Sequence, residues 1–109
     1  MSNEFVKTID VNTLHQLKEK NKTLCIIDVR EQSEWDEMHI PGVTHCPKGQ
    51  LCDVISHITH NKNQSIYLHC RGGTRSKDAA LQLQKMGYTD VYSVDGGIMA
   101  WQALGFPTV

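Results

Sequence analysis

The chain has 109 residues, 39% of them hydrophobic and 21% charged, and a net charge of −1 at pH 7. That size and composition suit one globular domain over residues 1–109 and argue against a disordered chain. With no basic stripe, no apolar run near the ~20 residues that span a bilayer, and no apolar core in the first residues, neither nucleic acid nor membrane is an expected partner and the expected location is cytoplasmic.

From the amino end, Val11 to Lys20 reads as a helix, with Leu14 and Leu17 on one face and Asp10 or Asn12 available as cap. Leu24-Cys25-Ile26-Ile27 is a continuous apolar run, the pattern of a strand covered on both faces. Glu31 to Met38 reads as a short helix carrying Trp35 and Met38 inward, and Pro41-Gly42 as a turn. Leu51, Val54, Ile55 and Ile58 fall at helical spacing, and Asn61 to Gln64 is a polar loop. Ile66 to Leu68 is the next buried strand. A helix with Ala79, Ala80, Leu83 and Met86 on one face then begins with Ser76 as expected N-cap and ends at Gly87. Val91 to Val94 is a further strand. Asp95-Gly96-Gly97 leads into a last short helix, Ile98 to Leu104. Strands alternating with helices imply an α/β fold, a mostly parallel sheet with helices on both faces. Ligands of such sheets bind at the carboxyl ends of the strands.

Cys70 sits at such an end, in Cys70-Arg71-Gly72-Gly73-Thr74-Arg75-Ser76. A thiol is acidified by a helix N-terminus and by neighbouring arginines, and both are expected here. Gly72 and Gly73 let successive N–H groups curl inward into an anion nest, to which the Thr74 and Ser76 hydroxyls can add. A buried structural cysteine would need neither the glycines nor Arg71 and Arg75. Cysteine-dependent phosphatases and arsenate reductases, the rival reading, place five residues between cysteine and arginine. Here four separate Cys70 from Arg75, so the cradle suits one sulfur atom better than a phosphoryl group.

The other polar residues read more plainly. Asp28, Arg30 and Glu34 are expected to form a structural ion pair after a buried strand, not an acid–base centre. His39, His45, Cys46, Cys52, His57 and His60 match no standard zinc spacing, so no metal site is expected. Cys25 is expected to be inert core. Cys46 is read as an apolar filler beside Pro47, with a resolving thiol as the alternative, and Cys52 is an open question of the same kind.

Taken with its flanking segments, the Cys70 loop resembles the active-site loop of single-domain rhodaneses, the thiosulfate sulfurtransferases. Ile27-Asp28-Val29-Arg30 with Glu34-Trp35, then His39-Ile40-Pro41-Gly42-Val43, and Asp95-Gly96-Gly97-Ile98 with Ala100-Trp101 resemble further signatures of that family. Met38, where glycine is frequent, and His45-Cys46-Pro47, where Asn-Ile-Pro is usual, depart from it. The resemblance implies a rhodanese-like five-stranded sheet and transfer of a sulfane sulfur through a Cys70 persulfide. It implies thiosulfate or a similar donor, held by Arg71 and Arg75, a thiol or cyanide as acceptor, no cofactor, and a sulfur-relay protein as a possible partner. A non-catalytic, partner-binding module of the same family is the alternative, and the presence of Cys70 weighs against it.

Overall fold

The computed structural model describes residues 5–109. Five strands, β1 (Lys7–Ile9), β2 (Cys25–Asp28), β3 (Thr44–His45), β4 (Ile66–His69) and β5 (Val91–Val94), alternate with five helices, α1 (Val11–Lys20), α2 (Gln32–Glu37), α3 (Lys48–Ile58), α4 (Thr74–Lys85) and α5 (Gly97–Ala103). The strands form one sheet in the order β1-β5-β4-β2-β3, with every pair parallel.

Alternate strand residues point to opposite faces and divide the core in two. Ile27, Val29, Ile66 and Leu68 pack with Leu51 and Ile55 of α3 and with Ala79, Ala80 and Leu83 of α4. Ile26, Tyr67 and Val94 pack on the other face with Val11 and Leu14 of α1 and with Ile98 and Trp101 of α5. All four residues of β4 are buried, as the centre of a doubly covered sheet requires. The chain leaves β2 toward β3 on one side and leaves β4 toward β5 on the other. The ends of β2 and β4 therefore flank the point where the winding reverses, where a crevice opens in such folds.

Three local expectations are corrected. Ser76 does not cap α4: the helix starts at Thr74, and its N-cap is Gly73 at φ +115°, a conformation that side chains disfavour. Ser76 instead lies buried in the first turn. Helix α2 buries nothing fully: Trp35 and Met38 are both half-buried, although Met38 packs against the second half of the core. Trp35 stacks with both His39 and His45, with ring centroids 3.7 and 4.7 Å away. Cys25 is half-buried and packs against the core rather than within it. Asp10 does cap α1, accepting the Thr13 N–H at 2.7 Å.

Candidate active site

Cys70 follows β4 directly, and its residue surface is only 1% exposed. The Gly73 N–H donates to its Sγ at 3.1 Å, and Ser76 Oγ lies 3.6 Å away. Ser76 Oγ also contacts the Gly73 carbonyl at 3.1 Å and Ser93 Oγ at 2.6 Å. A hydroxyl has one proton, so Ser76 can turn its own toward a thiolate while Ser93 donates to the Ser76 oxygen. Burial is the largest single influence on the Cys70 thiol and opposes its ionisation. The Ser76 hydroxyl and amide, with the Gly73 and Gly72 amides, together outweigh it and hold the thiol below its ordinary range. Cys25 and Cys46 have no such donors, and burial pushes both thiols up. Cys52 is exposed on α3.

The loop rests on the last strand-to-helix turn. The Ile98 N–H donates to the Cys70 carbonyl at 3.0 Å, and the Met99 N–H to the Arg71 carbonyl at 3.1 Å. With those carbonyls turned toward α5, the Gly72 and Gly73 amides are free to face the sulfur. Gly97 permits this approach, because a Cβ there would lie 2.4 Å from the Cys70 carbonyl oxygen. Gly97, in the Asp95-Gly96-Gly97-Ile98 segment, belongs to the site, and so do Ser93 and the two α5 amides, to which the sequence does not point. Ser93 shows only as a polar residue in an apolar strand, and backbone amides leave no sequence signal.

Glu34 and Arg75 have partners other than those expected. Asp28 and Arg30 do form a buried pair: the Asp28 carboxylate accepts from Arg30 Nη2 at 2.8 Å and from Arg30 Nε and the Arg30 N–H. Arg30 also reaches the Met38 carbonyl at 2.7 Å, tying β2 to the end of α2. Glu34 is not a carboxylate partner of that pair. It gives Arg30 only its backbone carbonyl, at 3.4 Å, and spends its carboxylate on Arg75 in a two-pronged bridge of 2.6 and 2.9 Å. Arg75 is therefore engaged by Glu34 along one edge of its guanidinium, and only its remaining N–H groups are open to a donor anion. Arg71 is exposed and has no ion-pair partner among the described residues. Thr74 is exposed at the start of α4.

The bridge has a pH signature. The Arg75 hydrogen bonds, opposed in part by burial, hold the Glu34 carboxyl at about 2, below its usual 4.5. A depressed carboxyl contributes stability that is present above the unfolded value and is lost as pH falls from 4.5 toward 2. Both partners are about a third exposed, and solvent screening reduces the contribution to about 1 kcal/mol. Glu34→Gln should lower stability by that amount at pH 7 and have little effect near pH 2, measured by urea unfolding across the series. An equal effect at both pH values would show that the bridge contributes nothing.

A parallel α/β sheet that carries a buried, acidified cysteine in an amide-lined loop at its point of reversal defines a class of domain, and comparison with known proteins gives it a family. The family model for the rhodanese-like domain matches residues 10–104, and the chain belongs to that family. YrkF of Bacillus subtilis, which is named as a putative sulfur carrier protein, is 36% identical over 103 residues, covering 92% of this chain and 55% of that protein. The thiosulfate sulfurtransferase GlpE of Shewanella oneidensis is 33% identical over 95 residues, covering 87% of this chain and 91% of that one. The solution structure of the rhodanese-like domain of an Anabaena protein matches with a TM-score of 0.83 at 28% identity, over 96% of this chain and 80% of that one. The chain thus spans about half the length of YrkF. No helix among the described residues is long and apolar enough to cross a membrane.

Proposed function

We propose that residues 1–109 act as one rhodanese-like sulfurtransferase domain in which Cys70 carries sulfur as a persulfide. The observation that carries the reading is the Cys70 sulfur itself: buried, yet supplied with enough inward donors to favour the thiolate. In the first half-reaction the Cys70 thiolate attacks the outer sulfur of thiosulfate. The sulfur–sulfur bond of the donor breaks, sulfite leaves with the electron pair, and Cys70 is left as a persulfide. In the second, an acceptor thiolate or cyanide attacks the terminal sulfur, and Cys70 departs as the thiolate, ready for another donor. The Gly72, Gly73 and Ser76 amides stabilise the anion on either sulfur. Arg71 meets the donor's charge from the loop surface, while Arg75 fixes the loop by holding Glu34. The sulfur carrier and sulfurtransferase relatives support the same chemistry and suggest a relay protein as donor or acceptor in the cell.

Incubation of the protein with thiosulfate should add one sulfur atom to its intact mass, and cyanide should remove it. Peptide mapping should place the sulfur on Cys70. A gain located elsewhere, or none with any sulfane donor, would defeat the reading. The phosphatase alternative predicts Cys70-dependent turnover of an aryl phosphate, and none is expected.

A further inference from the structure

We propose that His69, the residue before Cys70, is a positioning residue for the thiolate: its Nδ1–H pins the Cys70 carbonyl, and this fixes the start of the amide loop. The inference rests on the persulfide reading but concerns a side chain that the chemistry above leaves unused. His69 is wholly buried in the central strand, where its neighbours Ile66 and Leu68 are apolar and equally buried. Its Nδ1 lies 3.3 Å from the Cys70 carbonyl oxygen. A carbonyl only accepts, so Nδ1 must carry the proton. Its Nε2 has no hydrogen-bond partner among the described residues, and Asp28 Oδ2, 3.7 Å away, is already engaged by Arg30. Burial, opposed in part by the Asp28 charge, keeps His69 from protonating in its ordinary range. The ring is thus a neutral imidazole with one nitrogen used and one left bare.

An orphaned nitrogen in a doubly covered strand is costly, and an aliphatic side chain would avoid the cost. What the imidazole supplies is the Nδ1 donor. The Cys70 carbonyl takes that bond and the Ile98 N–H together. The peptide that follows Cys70 is therefore held from two sides, from β4 itself and from α5. Rotation of that peptide would swing the Gly72 and Gly73 amides off the sulfur. His69 acts on the thiolate through this peptide without touching the reacting atoms.

The test begins on the unaltered protein. Nitrogen-15 NMR of the histidine rings should show His69 as the Nδ1–H tautomer at neutral pH. A proton on Nε2 alone would overturn the proposal. His69→Leu removes the donor, and His69→Asn keeps an amide N–H near the Nδ1 position. The rate at which iodoacetamide alkylates Cys70, followed by peptide mapping across pH, reports the thiolate. His69→Leu should slow alkylation at pH 7 about three- to tenfold and raise the midpoint by roughly half to one pH unit, the worth of one neutral hydrogen bond. His69→Asn should recover to within about twofold of the original rate. Equal loss in both variants, or no loss in His69→Leu, would overturn the assignment. Should His69→Leu not fold, a tenfold loss in His69→Asn would do the same. None of these readouts requires sulfur transfer, so a failure here is distinct from a failure of the persulfide reading.

Discussion

Cys70→Ser is expected to abolish sulfur transfer, lowering turnover at least about 10⁴-fold, to the uncatalysed level, while leaving the fold intact. Serine matches the shape of cysteine, and its oxygen can accept the Gly73 N–H that now reaches the sulfur. Stability should change by no more than about 1 kcal/mol. The chemistry cannot be matched. The loop donors lower a thiol, which is a far stronger acid than an alcohol to begin with, and the same help leaves an alcohol protonated at any working pH. Nor can a serine oxygen store the sulfur between half-reactions as a persulfide does. The remaining thiols offer no substitute, since burial pushes Cys25 and Cys46 up and Cys52 lies outside the loop on α3. Sulfur found on Cys52 in the variant would be a mass gain without turnover, so both must be followed. Turnover that survives in Cys70→Ser would mean that another nucleophile does the work. Unfolding of the variant at a much lower temperature would mean that the thiol also has a structural role.

How much of this site is legible in the sequence depends on what carries each part. The cysteine, the glycines and the arginines are adjacent in the chain, so one strand, one loop and one helix place them. Their chemistry follows from residue type and order alone. The α1, α3 and α4 helices and the central strands are legible because their apolar runs and periods are long enough to be unambiguous. Strands β1 and β3, of three and two residues, are too short to show a period. Ser76 resembles a cap because a serine before an apolar face has the same local pattern whether its hydroxyl serves the helix or a neighbouring sulfur. The Glu34–Arg75 bridge spans 41 residues, and the winding of the chain, not any spacing, brings its ends together. Spacing instead points Glu34 toward Arg30, because four residues is a familiar distance for an ion pair within one helix. In the fold, Arg30 precedes α2 and turns back to Asp28. Local pattern therefore picks out the charged residues and pairs one of them incorrectly.

Gly97→Ala should be strongly destabilising, although it adds one methyl group. The Cys70 loop and the start of α5 meet backbone to backbone at this residue. An added Cβ would lie 2.4 Å from the Cys70 oxygen and 2.5 Å from the Arg71 oxygen. Neither oxygen can yield cheaply, because each accepts an N–H from α5 in the same turn. The backbone at Gly97 also has φ +53°, which costs a side chain about 1–2 kcal/mol before any clash. Overpacking against rigid atoms adds about 1–3 kcal/mol, and the total is about 2–5 kcal/mol. For a domain of this size that is a fall in Tm of about 8–20 °C, measured by calorimetry. The methyl would also push the Cys70 and Arg71 carbonyls away and turn the Gly72 and Gly73 amides off the sulfur, so the Cys70 thiol should titrate higher in whatever fraction stays folded. Gly105→Ala separates the two costs. Gly105 has a similar positive φ of +76° but nothing within 4 Å of an added Cβ. It should lose only the conformational part, about 1–2 kcal/mol, with no change at Cys70. If the two variants lose the same stability, the close approach of the loop to α5 is not what makes a glycine necessary at Gly97.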